Sequence, residues 1–320
     1  MNRRHFLQTS AAALTLAATP LTLPTQLMAG TAEFYSKKTK TILGHEMAYV
    51  DEGQGRPVVF LHGNPASSYL WRGIIPYVTD SHRAIAPDLI GMGDSAKPKL
   101  EHTYMDSAAH LGLLLDELDI RDAVLVVQDW GSALGWHYAR TRPDRVSAVA
   151  FMEAMVPPVH PIPSFEAFGD FGDFLKNIRN DDFGRKMILE DNFMIDTFLR
   201  FDNPTAPKSD AVMAEYNRYY PTPESRQILL DWPREVPVAG SPADVLAEVE
   251  KNNDWLLNTQ IPKLMFHADP GALIPMQLAE VLKSTFQNME SVFLGAGGHF
   301  LQEDHPDAIG KALAKWLTRV

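Results

Sequence analysis

The sequence predicts an α/β fold: a mostly parallel sheet with helices on both faces and one inserted block of helices. Three observations predict it. Short apolar runs bounded by Gly or Pro alternate with stretches whose apolar residues recur at helical spacing. The alternation stops over residues 156–237, which hold no run of strand character. The chain has 320 residues, 45% hydrophobic and 22% charged, enough for one large α/β domain carrying an insertion.

In chain order, "GRPVVFLHG" (55–63) is a continuous apolar run ending in Gly and reads as a buried strand. "HRAIAPDLIG" (82–91) suggests a second, ending near Pro87. "YMDSAAHLGLLLDELDI" (104–120) is spaced as a helix, and "AVLVV" (123–127) is again a strand. The helix "GSALGWHYARTRP" follows and is stopped by Pro143, which cannot donate to the preceding turn. "RVSAVAFMEA" (145–154) is a strand ending at Glu153, and "IPKLMFHAD" (261–269) another. A helix from about Pro275, the stretch "ESVFLGAGGHF" and a last helix to Val320 complete the chain. Strands separated by helices imply parallel pairing.

The block without strands opens on "VPPVHPIP" (156–163) and is rich in Phe, Asp, Asn and Pro. Its pieces "FGRKMILEDNFMIDTFLRF" and "SDAVMAEYNRYY" look helical. Inserted after the carboxyl end of a strand, it is expected over the sheet edge where open α/β folds bind ligands. The expected organisation is therefore an α/β core at 31–156 and 236–320 with a helical active-site cap at 157–235.

The formal charge of −11 argues against nucleic acid and anionic membrane surfaces as partners. With no cysteine there is no disulfide, thiolate nucleophile or Cys-bound metal. The N-terminal "MNRRHFLQTSAAALTLAATP" pairs Arg3 and Arg4, then Phe6-Leu7, then an Ala/Leu stretch broken at Pro20. It is similar to a twin-arginine export signal, with small residues for cleavage in "LMAG" (27–30). Residues 1–30 are therefore read as a signal to the periplasm, with a plain N-terminal helix as the alternative. The apolar stretch is too short to span a bilayer, so stable membrane anchoring is not expected.

The chemistry sits at the strand ends. In "VVQDWGSALG" (126–135) an acidic residue, Asp129, closes an apolar strand where a carboxylate is partly desolvated. Gly131, Ser132 and Ala133 are small, as a strained strand-to-helix turn requires. The N–H groups and dipole of the following helix favour an anion there. Asp129 is thus a candidate nucleophile, or else an ordinary helix N-cap. A serine at such an elbow attacks acyl carbon. A carboxylate suits displacement at an sp³ carbon, giving an ester that water later cleaves. That step needs a base, and His299, in "LGAGGHFLQEDHP", lies on a loop late in the chain where such a base belongs. His267 ends a strand, and His102, His110 and His137 look helical; these four read as structural or surface residues, and His305 reads as a helix start. Glu153 and Asp269 both end strands, and periodicity does not choose between them as the carboxylate that orients His299. In "HGNPASSYLWR" (62–72) the loop after the first strand can supply an oxyanion N–H. Asn64 and Trp130 add uncharged side-chain donors suited to a leaving halide in an apolar pocket. Singly, each reads as a turn former or as core packing.

These stretches, with "PDLIGMGDSAKP", "FMEA", "PKLMFHADPGALIP" and "HFLQEDHPD", resemble the haloalkane dehalogenases over nearly the whole chain from about Lys40. The likeness is to the subfamily whose acid follows the sixth strand. It implies an α/β-hydrolase fold with a helical cap and no cofactor. It implies Asp129 as nucleophile, His299 as base and Glu153 as acid, with Asn64 and Trp130 binding halide. Asp269 then becomes incidental, since the other subfamily's acid aligns near Gly271, which has no side chain. The expected partners are a small halogenated aliphatic substrate and a halide ion. Two departures stand out: the cap is the least similar region, and Gln128 precedes the nucleophile where His is commoner in this subfamily. An epoxide hydrolase shares the Asp–His machinery but needs cap tyrosines, for which Tyr216, Tyr219 and Tyr220 are available. A catalytically silent binding protein on the same fold is a third reading.

Overall fold

The computed structural model describes residues 35–203 and 206–320. The expected export signal lies outside the described residues. Eight strands form one sheet: β1 (Lys38–Ile42), β2 (His45–Glu52), β3 (Pro57–Leu61), β4 (Arg83–Pro87), β5 (Ala123–Asp129), β6 (Val146–Ala154), β7 (Lys263–Pro270) and β8 (Met289–Gly297). Their order is β1-β2-β4-β3-β5-β6-β7-β8. β1 pairs antiparallel with β2, and β2 with β4. All remaining pairings are parallel.

The central strands explain why the sequence showed continuous apolar runs rather than alternation. Val58–Leu61 and Ala123–Gln128 are buried at every position, as in a sheet covered on both faces. The covering helices fall into groups. α1 (Tyr104–Glu117), α2 (Trp130–Thr141) and α7 (Ala243–Asn258) pack on one another through α2. α8 (Met276–Thr285) packs on β7 and β8, the short α9 (Leu301–Asp304) follows β8, and α10 (Pro306–Leu317) packs on β8 and the short turn Ile75–Tyr77. The start of α1 is set by a reciprocal cap. Thr103 Oγ1 accepts the Asp106 N–H at 3.1 Å, and Asp106 accepts the Thr103 N–H at 3.2 Å. His102 is therefore not helical, contrary to the pattern reading. It stands just before the cap at φ 52° and pairs with Asp231 at 2.8 Å.

Two elements escape the pattern reading. The β1–β2 hairpin turns on Leu43 and Gly44, at φ 51° and 83°, rather than on Asn-Gly. β1 is an edge strand with Lys38, Thr39 and Thr41 exposed, so little alternation marks it. α7 buries only the narrow stripe Val245, Val249, Asn252 and Leu256.

Between β6 and α7 lie the helices expected there. α3 (Gly169–Asn177) follows a 3₁₀ turn at Phe165–Phe168. α4 (Asp181–Gly184) continues into a π-helical turn, Arg185–Glu190, and a second π-helical turn spans Met194–Leu199. α5 (Asp210–Arg218) and α6 (Gln227–Glu235) complete the insertion. Its ends meet: the Ile162 N–H reaches the Pro237 carbonyl at 3.0 Å, and the Ala239 N–H reaches the Ile162 carbonyl at 3.0 Å. The order of the sheet reverses at β3, because β4 lies to one side and β5 to the other. The carboxyl ends of β3 and β5 therefore open a crevice at the switch point.

Candidate active site

β5 delivers Asp129 into that crevice. Its backbone stands at φ 50°, ψ −129°, a region that residues with a Cβ rarely occupy. The elbow closes only because its neighbours are glycines. A Cβ on Gly131 would lie 2.3 Å from the Leu61 carbonyl oxygen, and one on Gly63 would lie 2.1 Å from Asp129 Oδ1. Asp129 occupies the N-cap position of α2, yet its side chain makes no capping hydrogen bond. Its carboxylate turns outward instead. Oδ1 accepts the Asn64 N–H at 2.8 Å, and Oδ2 stands 3.6 Å from His299 Nε2.

His299 follows β8, and its ring bridges two carboxylates. Nδ1 lies 3.3 Å from Glu153 Oε2. Burial opposes a charge on this ring, but its hydrogen bonds and charge interactions with Asp129 and Glu153 outweigh burial and push it up to about 10. Glu153 is itself fully buried, near the end of β6, at φ 43°. A buried carboxylate needs donors, and the turn after β7 supplies three. The N–H groups of Ala272, Leu273 and Ile274 reach it at 3.0, 2.6 and 3.3 Å. Asp269, the other candidate acid, lies exposed at the end of β7. The geometry therefore brings Glu153 to His299 and leaves Asp269 in solvent.

Asn64 and Trp130 flank the nucleophile as expected. Asn64 Nδ2 donates to the Leu229 carbonyl at 3.3 Å, which leaves its second hydrogen uncommitted. The Trp130 ring packs between Tyr104 and Trp232, with centroids 6.1 and 5.3 Å away. Both residues line a cavity of about 390 Å³ together with Asp129 and His299. The rest of the wall is largely apolar, with Phe171, Phe174, Phe193 and Phe198 contributed by the insertion. Among the described residues no group of three or more His, Asp or Glu side chains is placed to hold a metal ion.

Residues 56–306 match the family model for the alpha/beta hydrolase fold. A haloalkane dehalogenase of Mesorhizobium japonicum is 45% identical over 280 residues, covering 87% of this chain and 90% of the relative. One from Sphingobium indicum is 40% identical over 298 residues, covering 91% and 98%. The chain is a member of the haloalkane dehalogenases. Solved structures of the family agree. A haloalkane dehalogenase from Bradyrhizobium elkani superposes with a TM-score of 0.85 at 40% identity, covering 88% of this chain and 97% of that one. A reconstructed ancestral haloalkane dehalogenase does so at 0.84 and 42%, covering 88% and 98%.

On this haloalkane dehalogenase the tyrosines that would serve an epoxide hydrolase lie elsewhere. Tyr216 donates to Glu303 at 2.7 Å and Tyr219 to Glu215 at 2.9 Å, and none of Tyr216, Tyr219 and Tyr220 lines the cavity. Three residues at the site carried no sequence signal of a role. Gln128 Nε2 stands 2.7 Å from His299 Nε2, while its Oε1 has no hydrogen-bond partner. Turning the amide over would put Oε1 on the ring, so Gln128 can serve a neutral imidazole or an imidazolium. Asp202, from the insertion, accepts the backbone N–H groups of His299 and Phe300 at 2.7 and 2.9 Å. His160 is 2% exposed and lines the cavity. Burial pushes its imidazole down to about 4, against the pull of the Asp129 charge. A lone His between prolines offered no pattern from which to place it.

Proposed function

We propose that this chain hydrolyses the carbon–halogen bond of small haloalkanes to an alcohol, a halide and a proton, through an ester on Asp129. The observation that carries the reading is the Asp129 carboxylate. It is held at one oxygen by the Asn64 N–H and faces His299 inside an apolar cavity that also holds Asn64 and Trp130. Oδ2, the oxygen that Asn64 does not engage, attacks the halogen-bearing carbon in line. A C–O bond forms, the carbon–halogen bond breaks, and the halide leaves toward Asn64 Nδ2 and Trp130 Nε1. Neutral donors in an apolar cavity hold an anion more strongly than they would in water.

The proton on His299 gives the sequence of events its direction. Two carboxylates favour the imidazolium in the resting site. Alkylation turns one of them into a neutral ester, so the ring loses a reason to keep its proton and gives it up to solvent. The neutral ring, oriented by Glu153, then takes a proton from water as that water attacks Cγ of the ester. The N–H groups of Asn64 and Trp130 hold the oxyanion, the Cγ–O bond to the alkyl group breaks, the departing oxygen takes the proton of the newly added hydroxyl, and the carboxylate returns beside an imidazolium. The helical insertion over the crevice acts as the cap that keeps bulk water out.

His299→Phe separates the two steps. Displacement needs no proton transfer, so the variant should release one equivalent of bromide from 1-bromobutane and stop. Asp129 should then carry a butyl ester, visible by intact-protein mass spectrometry and mapped to the 126–135 stretch. Asp129→Ala should show neither burst nor adduct. A folded His299→Phe with bound substrate but no burst and no adduct would overturn the covalent route in favour of direct attack by water.

A further inference from the structure

The substrate cavity contains two polar side chains that the proposed chemistry leaves idle, the exposed Asp170 and the buried His160, and only the buried one needs a partner. His160 sits in the loop that leads from β6 into the insertion, and its backbone is pinned at both ends. Its N–H reaches the Val156 carbonyl at 3.1 Å, and its own carbonyl accepts from Asn253 Nδ2 at 2.6 Å. The ring leans on Phe168, with centroids 5.8 Å apart. The imidazole is thus held in place rather than swinging in solvent. It is 2% exposed and lines the same cavity as Asp129; Nδ1 is sealed off without a partner, and Nε2, the nitrogen left open to the cavity, makes no hydrogen bond.

Buried polar atoms are almost always paired, and leaving one unpaired is unfavourable. A plain haloalkane offers it nothing. The phenylalanines that form much of the wall show that an apolar side chain would fit the surroundings of the alkyl chain equally well. An unpaired imidazole in such a wall is suited to a ligand that brings its own polar group. A hydroxyl both donates and accepts, so it satisfies Nε2 in either neutral tautomer.

We propose that His160 is a specificity-determining residue that hydrogen-bonds a hydroxyl group carried by the substrate, so that the enzyme favours halogenated alcohols. This rests on the dehalogenase reading above and narrows its substrate class. The hydroxyl is bound in the ground state and in the transition state alike, so the gain appears mainly in KM.

The test compares ω-bromoalcohols of two to six carbons with 1-bromoalkanes of matched length, by bromide release. In the wild type, at one or more chain lengths, the alcohol-to-alkane ratio of kcat/KM should exceed that of His160→Phe by about 3–10-fold, the worth of one hydrogen bond between uncharged groups. The ratio is the readout because His160 lines the cavity and its replacement reshapes the wall for both series alike. His160→Gln, which keeps a donor and an acceptor, should retain part of the preference. His160→Leu makes the same comparison if the Phe variant does not fold. Equal ratios in wild type and variants at every chain length would overturn this inference alone. No bromide from either series with the wild type would overturn the hydrolytic reading and this one with it.

Discussion

Asp129 and Glu153 are held in the same unusual way. Both close a strand, both have a positive φ, and both accept backbone N–H groups, Asp129 through Oδ1 alone and Glu153 through both oxygens. That arrangement points two carboxylates at one imidazole from opposite sides, and the local backbone strain is offset by hydrogen bonds that no other conformation would make. It also divides the labour. The largely buried Asp129 faces the cavity, and the fully buried Glu153 faces only the ring and the turn after β7. Glu153→Gln should therefore slow ester hydrolysis by about 10²–10⁴, the usual worth of acid–base assistance, while the bromide burst survives. Asp269→Asn, changing an exposed carboxylate, should alter little. The reverse ranking by bromide release in folded variants would show that the acid had been misassigned.

At the scale of elements, the loop after β8 is fastened by the insertion rather than by the sheet. The Asp202 carboxylate, 6% exposed, takes the N–H groups of His299 and Phe300, and a Cβ on Gly298 would lie 2.7 Å from its oxygens. Lys208 lies 3.7 Å from both Asp202 and Asp304, closing a buried charge cluster around the loop. The helices that wall the cavity and the backbone that carries the proposed base are thus one mechanical unit. Asp202→Ala should leave two backbone donors unpaired and cost about 1–3 kcal/mol in stability. It should also slow ester hydrolysis more than the burst, a split that loss of stability by itself would not produce. Asp202→Asn, which keeps an acceptor oxygen, should recover part of the rate. Equal slowing of both phases in stopped-flow measurements would show that the clamp does not position the base.

On the scale of the whole molecule, the crevice is a product of topology. Because the strand order reverses at β3, the chain runs on from β3 and from β5 to opposite sides, and a crevice opens above the point where the Asn64 N–H meets the Asp129 carboxylate. We further propose that the folded enzyme works in the periplasm, on the strength of Arg3-Arg4 and the weakly apolar stretch after them. A chain without cysteine has no disulfide to form outside the cytoplasm, so export in the folded state by the twin-arginine route loses nothing. Changing Arg3 and Arg4 together to Lys should leave the product in the cytoplasm. Unchanged periplasmic levels on cell fractionation would refute that route.

The sequence by itself determined the elements whose signals are local. Buried parallel strands are apolar throughout, a helix repeats every three or four residues, and an elbow needs glycines wherever its backbone must crowd. Those signals located β3 to β8, α1, α2 and the insertion, and they put Asp129, His299 and Asn64 at strand ends. Periodicity did not choose between Glu153 and Asp269, since both end strands; that choice rested on resemblance to a family. Tertiary structure supplied a geometric ground for it, because only Glu153 lies within 3.3 Å of the His299 ring, with the N–H groups of residues 272–274 behind it. The β1–β2 hairpin was illegible because an exposed edge need not alternate. Gln128, His160 and Asp202 were illegible as parts of the site because each acts across a distance that sequence does not encode. Gln128 lies 171 residues from His299 and Asp202 lies 97. What packing decides is which polar groups become neighbours once water has been driven out from between them.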